Sequence, residues 1–377
     1  MRVLIACGGT GGHINPGLAI ADIIKSKYPD AEFLFAGTPK GMEAKLVPAA
    51  GYRFETIKVA GFQRRISLEN IGRNAKAVAY LITSGRRAKQ IIEGFKPDIA
   101  IGTGGYAAGP VIRKAARMGI PTAIHEQNAY PGVTNKLLSK EVDHVMLTVK
   151  EALNFMDGSK FEHTVTGLPV RSNIKNSISR SEARKKLGFN DDFTILSFGG
   201  SLGAGCINET MTEAIKWHVG RGLAINHIHG YGGMGKDTFP QAMKAAGIPL
   251  KSSNLRITEY INDMDVCLAA ADLVICRSGA STLAELEAAG RASILIPSPI
   301  VAGNHQYHNA MVLGKAGAAV VVEQKDASPK RIISEIEKLY NSPDTVAVMS
   351  QSAAKLHLSD TNERILAVID KLIAKKK

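Results

Sequence analysis

The sequence predicts an α/β protein of two parallel-sheet domains, and three observations carry that prediction. Apolar strands alternate with helical stretches along most of the chain, the pattern of parallel sheets covered by helices. Two of these strands run through a glycine-rich turn into a helix. Arg2 to Ala6 leads into Gly8-Gly9-Thr10-Gly11-Gly12-His13, and Phe193 to Phe198 leads into Gly199-Gly200-Ser201-Leu202-Gly203-Ala204. Finally, 377 residues are too many for one comfortable core and suit two.

The first series of expected strands is Arg2 to Ala6, Glu32 to Ala36, Arg53 to Val59, Asp98 to Ile101, Thr122 to His125 and His144 to Leu147. The second is Thr194 to Phe198, Leu223 to His229, Leu255 to Thr258, Leu273 to Cys276, Ala292 to Ile296 and Ala318 to Val322. Between them the turn-rich Thr166-Gly167-Leu168-Pro169-Val170-Arg171 reads as the linker. A final amphipathic helix, about Thr361 to Ile373, can pack on either domain.

Composition narrows the class. With 45% apolar and 21% charged residues the chain reads as an ordinary soluble globular protein. It has no run of about 18 uncharged apolar residues, and its start in a strand argues against a secretory leader. Cys7, Cys206, Cys267 and Cys276 form no CxxC pair and are expected as buried, reduced thiols in the cytoplasm. The formal charge of +13 is uneven: Lys58 to Lys96 holds nine Lys or Arg against Glu69 and Glu93. Ile71, Ala75, Val78 and Ile82 recur there at helical spacing behind Phe62, Ile66 and Leu68. Such a segment either lies on an anionic membrane surface or packs its apolar stripe on its own domain. A nucleic-acid surface is disfavoured, because aromatic residues hardly interleave the charges.

Strand-to-helix turns made of glycine let backbone N–H groups and a positive helix end approach a phosphate. Neither copy spells GxGxxG, which removes the dinucleotide fingerprint. Two more turns follow strands, Gly102-Thr103-Gly104-Gly105-Tyr106 and Arg277-Ser278-Gly279-Ala280-Ser281-Thr282. Ligands of open α/β sheets bind beyond the carboxyl ends of strands, so the turns mark one functional edge per domain, and facing edges make a cleft.

Within these turns His13 is the first candidate for chemistry, because the positive end of a helix favours a neutral, proton-accepting imidazole. Asn15 and Pro16 are expected to cap and open the following helix. Thr282-Leu283-Ala284-Glu285 is a capping box by pattern, but Glu285 could equally accept both hydroxyls of a ribose. Ser201 could cap the next helix or reach a phosphate. His125-Glu126-Gln127-Asn128 closes an apolar strand with four polar groups, and Asn304-His305-Gln306 offers amides suited to sugar hydroxyls. No GxSxG, no P-loop motif and no credible metal-ligand spacing is present.

Together these residues resemble the MurG family of bacterial N-acetylglucosaminyltransferases over nearly the whole chain. The resemblance rests, in order, on Gly8 to Ala19, Gly102 to Tyr106, His125 to Asn128 with Thr134-Asn135-Lys136, Gly199-Gly200-Ser201, and Arg277 to Ala280 with Glu285. It implies a GT-B fold of two Rossmann-like domains separated by a cleft. Residues 1–167 would form the acceptor and membrane-associating domain, 168–357 the UDP-sugar domain, and 358–377 a helix crossing back to the first. The implied reaction is inverting transfer of N-acetylglucosamine from UDP-N-acetylglucosamine to the 4-hydroxyl of N-acetylmuramic acid in lipid I, forming lipid II.

The same resemblance implies roles for residues. His13 would be the general base. Ser201 and its turn would hold the donor diphosphate, Arg171 and the Ile261 backbone the uracil, Glu285 the ribose, and Gln306 and Asn128 the sugar hydroxyls. Thr10, Gly11 and Gly12 would border the donor, as would Ala280, Ser281, Thr282, Leu283 and Ala284. Gly9, Gly11, Gly12, Gly104, Gly105 and Tyr106 would seat the lipid diphosphate. Leu202 and His305 depart from the family pattern, where polar side chains are common. No cofactor, metal or nucleic acid is implied. The implied place is the cytoplasmic side of the cell membrane, peripherally bound to an anionic inner leaflet, with cell-wall and division proteins as further partners. The alternatives are another UDP-sugar GT-B enzyme, a nicotinamide-dependent dehydrogenase, and a non-catalytic basic membrane-surface adaptor.

Overall fold

The computed structural model describes residues 1–59, 83–175 and 178–375. It divides into two compact units, Met1–Pro169 with Asp360–Lys377, and Val170–Ser359. Most of the basic segment singled out above, including Phe62, Arg64, Arg65, Ile71 and Ile82, lies outside the described residues.

Unit 1 holds a seven-stranded sheet: β1 (Arg2–Cys7), β2 (Glu32–Gly37), β3 (Arg53–Thr56), β4 (Ile99–Gly104), β5 (Thr122–Glu126), β6 (His144–Leu147) and β7 (His163–Val165). Every pairing is parallel and the order is β3-β2-β1-β4-β5-β6-β7. Unit 2 holds β8 (Phe193–Phe198), β9 (Ile225–Gly230), β10 (Leu255–Thr258), β11 (Leu273–Cys276), β12 (Ala292–Leu295) and β13 (Ala319–Val321), in the order β10-β9-β8-β11-β12-β13. Both sheets reverse their winding once, between β1 and β4 and between β8 and β11. Each therefore has one crevice at the carboxyl end of its strands where ligands of such sheets bind.

Strands covered on both faces read as continuous apolar runs, because alternate side chains enter different cores. In β1, Leu4 and Ala6 join Ala100, Ile124 and Val145 on one face. Val3, Ile5 and Cys7 join Ile14, Ile20 and Ile24 of helix α1 (Gly11–Lys27) on the other. That second core takes in the last helix (Thr361–Ala374) through the buried Ile365, Val368, Ile369 and Leu372. Burial of each such side chain is worth about 1.5–3 kcal/mol. Polar contacts fix the docking: Lys27 Nζ and Tyr28 Oη donate to Asp370 at 2.6 and 2.5 Å, and Arg364 Nη1 donates to the Val165 carbonyl at 3.1 Å. The chain thus returns to unit 1 after completing unit 2.

All twelve expected strands form. The structure adds β7, an exposed-edge strand too short and too polar to carry an apolar run. In the described part of the basic segment, Ala88, Ile91, Ile92 and Phe95 are buried in unit 1. Arg87 nearby pairs with Glu55 at 2.5 Å. No helix among the described residues is long and apolar enough to cross a membrane. The four cysteines are free. Burial pushes Cys7 and Cys267 up to about 12, so both thiols stay protonated.

Candidate active site

In unit 1 the site grows from the turns after β1 and β4, neighbours at the reversal. Helix α1 starts at Gly11 with Thr10 as its N-cap, not at Asn15, so Pro16 sits inside the helix. Gly11 and Gly12 let the turn wind into helix early, and Pro16 forgoes its donation to the Gly12 carbonyl. This puts His13 in the first helical turn, where its carbonyl accepts from Thr103 Oγ1 at 2.7 Å. The β4 turn lies directly against it. Gly104 has φ +108° and a Cβ there would stand 2.7 Å from His13 Nδ1; a Cβ on Gly105 would stand 2.1 Å from the Gly8 carbonyl oxygen. Glycine is what lets the two turns touch. Gly9, Thr10 and Gly12 are exposed around this contact, and Tyr106 is 67% exposed beside it.

The polar cluster after β5 divides its work. Glu126 is spent on its own loop: it accepts from Asn128 N at 2.9 Å, Gly132 N at 3.0 Å and Asn135 Nδ2 at 2.8 Å. It thereby presents Asn128, which is half-buried. Gln127 reaches the other way, with Oε1 3.1 Å from His13 Nδ1 and Nε2 2.8 Å from the His125 carbonyl oxygen. His125 is fully buried, its Nε2 3.0 Å from the Gly167 carbonyl oxygen, and burial pushes its pKa down to about 4.

One residue escaped the sequence reading. Glu43, on α2 (Glu43–Ala49), is fully buried beneath the first glycine turn. Its carboxylate accepts from Gly9 N at 3.1 Å, Thr38 N at 2.8 Å and Thr38 Oγ1 at 2.6 Å. Burial works against its charge, but the bonds from Thr38 and Gly9 outweigh that and hold it below the usual carboxylate range. The signal available was the Gly37-Thr38-Pro39-Lys40-Gly41 turn just before it.

In unit 2 the second glycine turn packs on the turn after β9. A Cβ on Gly203 would stand 2.2 Å from the Tyr231 carbonyl oxygen, and one on Gly232 would stand 2.2 Å from Gly203 N. The next helix, Gly205–Gly220, is capped by Ala204, which has no side-chain oxygen to offer, so Ser201 is not its cap. Ser201 and Leu202 are exposed beside that helix end. The helix after β11, Ala280–Ala289, starts behind Gly279. Thr282 and Glu285 are therefore both inside it, and the expected capping box does not form. Ala280, Ser281 and Thr282 are half-buried in its first turn, whereas Leu283 and Ala284 are buried.

Glu285 instead meets Arg171, whose Nε and Nη2 lie 3.1 and 2.8 Å from Oε1. Burial pushes the Glu285 carboxyl up and the Arg171 guanidinium pulls it back. Ile261, after β10, is buried over Gly230. Gln306 accepts through Oε1 from Ser298 N at 2.9 Å, and its own carbonyl accepts from Ser278 Oγ at 2.8 Å. Arg277 donates to the Ile296 and Pro297 carbonyls, fastening the turns after β11 and β12. His305 has Nδ1 3.0 Å from the Ala302 carbonyl oxygen.

Comparisons with known proteins agree with this architecture. The glycosyltransferase family 28 N-terminal domain matches residues 3–147 and the glycosyltransferase family 28 C-terminal domain matches residues 194–365. The UDP-N-acetylglucosamine--N-acetylmuramyl-(pentapeptide) pyrophosphoryl-undecaprenol N-acetylglucosamine transferase of Acetivibrio thermocellus is 46% identical, over 100% of this chain and 99% of its own. The protein of the same name from Desulforamulus reducens is 41% identical over 100% of both. Among solved structures, the crystal structure of Acinetobacter baumannii MurG aligns with a TM-score of 0.77 at 28% identity, covering 98% of this chain and 99% of that one.

Proposed function

We infer the reaction from one premise: the chain belongs to glycosyltransferase family 28, and within it to the N-acetylglucosamine transferases that act on N-acetylmuramyl-(pentapeptide) pyrophosphoryl-undecaprenol. It transfers N-acetylglucosamine from UDP-N-acetylglucosamine to that lipid-linked acceptor, lipid I, and so makes lipid II for peptidoglycan. The observation that carries this reading is full-length identity of 46% to a relative of that name.

The chemistry is a single displacement with inversion. The 4-hydroxyl oxygen of N-acetylmuramic acid bonds to C1 of the donor sugar while the bond from C1 to the diphosphate oxygen breaks, and UDP leaves with that electron pair. His13 takes the hydroxyl proton as attack proceeds, a contribution typically worth about 10² to 10⁴ in rate. Charge grows on the departing diphosphate. Ser201, its turn and the N–H groups at the start of the helix Gly205–Gly220 meet that charge, since they have no intrahelical partners.

Arg171 and the Ile261 backbone receive the uracil, and Glu285 receives the ribose hydroxyls. Gln306 and Asn128 contact the sugar, and Ala280, Ser281, Thr282, Leu283 and Ala284 line the donor at their helix start. Thr10, Gly11 and Gly12 border the donor, and Gly9, Gly104, Gly105 and Tyr106 receive the lipid diphosphate. The basic segment from Lys58 to Lys96 holds the enzyme peripherally on the anionic cytoplasmic face of the membrane, where cell-wall and division proteins are its neighbours.

The test is direct. With sugar-labelled UDP-N-acetylglucosamine and a short-chain lipid I analogue, label passes into the lipid product and one UDP appears per transfer. Donor binding by calorimetry without any transfer would sink the reading. For the membrane role, neutralising Arg64, Arg65, Arg86 and Arg87 weakens sedimentation with anionic vesicles; unchanged sedimentation rules the surface out.

A further inference from the structure

We propose that Gln127, held in orientation by His125, fixes the tautomer of His13 so that the ring nitrogen left to take a proton is Nε2. The proposal deepens the reading of His13 as the base and rests on it for its catalytic meaning. Gln127 and His125 are positioning residues; neither is assigned a contact with substrate.

Two backbone carbonyls, which can only accept, fix the direction of every bond in this chain of contacts. Gln127 Nε2 lies 2.8 Å from the His125 carbonyl oxygen, so that end of the amide must be the NH₂. Its opposite end, Oε1, is therefore an oxygen, and it faces His13 Nδ1 at 3.1 Å. An amide oxygen accepts and never donates, so Nδ1 must carry the proton. A neutral imidazole has one N–H, and Nε2 is left with its lone pair.

A second anchor gives the same answer independently. His125 Nε2 is 3.0 Å from the Gly167 carbonyl oxygen, so Nε2 of that ring bears its proton and Nδ1 accepts. Gln127 Nε2 lies 3.3 Å from that Nδ1, again as donor. Burial pushes the His125 pKa down to about 4, so the ring stays neutral and keeps an accepting nitrogen near pH 7. The resulting chain is His13 Nδ1–H to Gln127 Oε1, then Gln127 Nε2–H to both the Nδ1 and the carbonyl oxygen of His125, then His125 Nε2–H to the Gly167 carbonyl.

Burial makes the relay hard to reverse. Gln127 is 2% exposed and His125 is 0% exposed, so an amide flipped end for end would set its oxygen against the His125 carbonyl with no water to separate them. The sequence spacing is accounted for as well. In His125-Glu126-Gln127, alternate residues point to one side as β5 ends, and Glu126, pointing to the other, builds the loop that presents Asn128.

Nitrogen-15 spectroscopy of the full chain, labelled at histidine and held at about pH 8 where a typical histidine is neutral, reads the tautomer without any substitution in the relay. The His13 signals are identified by their loss in His13→Asn. The expected pattern is a protonated Nδ1 and an unprotonated Nε2; a protonated Nε2 in the wild type overturns the proposal. In Gln127→Leu, similar in size but without the amide, that preference disappears and kcat falls about 10-fold or more, part of the 10² to 10⁴ that a general base supplies in full. The KM for UDP-N-acetylglucosamine stays near the wild-type value. Wild-type kcat in Gln127→Leu with the Nδ1–H form intact also overturns it. Failure of the base reading shows differently: His13→Ala then keeps substantial turnover whatever tautomer the spectrum reports.

Discussion

Arg171 meets Glu285 through one carboxylate oxygen: both guanidinium contacts, from Nε at 3.1 Å and Nη2 at 2.8 Å, fall on Oε1. The two residues are 114 apart in sequence, and Arg171 lies one residue beyond the start of unit 2. A carboxylate whose side chain is 18% exposed costs free energy to keep ionised, and the cation beside it offsets that cost. A ribose-binding carboxylate has to be charged to accept from two hydroxyls, so the pair prepares Glu285 for its proposed task.

Replacing Glu285 by Gln removes one acceptor from the ribose contact, and hydrogen bonds to charged groups are worth about 1.5–3 kcal/mol. Donor affinity by calorimetry should fall about 10- to 100-fold with the fold unchanged. Arg171→Ala carries a pH signature as well. Burial raises the Glu285 pKa and Arg171 opposes it, so without the arginine the carboxyl protonates at higher pH. The acid limb of donor binding should move upward in pH; a limb that stays in place would separate Arg171 from the state of Glu285.

The two glycines after β4 should fail in different ways. In Gly104→Ala the new Cβ stands 2.7 Å from the His13 ring, so the imidazole must move aside. Turnover should drop about 100-fold, the scale on which misplaced catalytic groups lose rate, while UDP-N-acetylglucosamine binding persists. In Gly105→Ala the Cβ stands 2.1 Å from backbone at Gly8, which cannot swing away as a side chain can. Both variants carry the cost of a side chain at positive φ, +108° and +84°, and Gly105→Ala, with the backbone clash added, should lose more stability than Gly104→Ala as well as activity. Equal urea midpoints for the two would contradict the distinction.

Glu43 predicts a defect confined to unit 1. In Glu43→Ala, Gly9 N–H, Thr38 N–H and the Thr38 hydroxyl, which are only partly buried, lose their shared buried acceptor, for a loss of about 1–3 kcal/mol. The first glycine turn loosens, so the KM for the lipid acceptor rises, while donor affinity, for which that turn is only the proposed border, falls much less. A matching loss of donor affinity would show that the effect is not local.

The fold was legible because its signals are local. Twelve strands were apolar runs bounded by turns, and the glycine turns marked both reversals of winding. Local signals also misled where two readings shared one pattern. Thr282 and Glu285 have capping-box spacing, yet the helix begins at Ala280, so both residues lie within it. Asn15-Pro16 has the form of a helix start, yet the preceding glycines carry the helix back to Gly11. The relations that organise the candidate site were not legible at all. His13 meets Gln127 across 114 residues and Glu43 meets Gly9 across 34, and one sequence gives no signal for contacts that the sheet order alone brings about.

In unit 2, His218 Nε2 lies 3.1 Å from His227 Nδ1, and Ser197 Oγ lies 2.8 Å from both His227 Nε2 and His229 Nδ1. All three rings are fully buried. Burial pushes His218 down to about 4 and His229 to about 3, and it lowers His227 well below 6.5, where a proton would also face its two neighbours. An unfolded histidine titrates near pH 6.5. Between pH 6.5 and about 4 the unfolded chain therefore binds protons that the folded unit refuses, so stability is fully present above 6.5 and is lost as the pH falls. Each histidine contributes at most about 1.4 kcal/mol per pH unit in that window. The single tryptophan, Trp217, adjoins His218 and reports this unit by fluorescence. Urea midpoints read at Trp217 should change little from pH 7.5 to 6.5 and then fall from 6.5 to 5, above the range in which most carboxylates titrate, and the fall should be shallower in His227→Gln. A midpoint that is level or rises on acidification would show that these rings take up protons while folded.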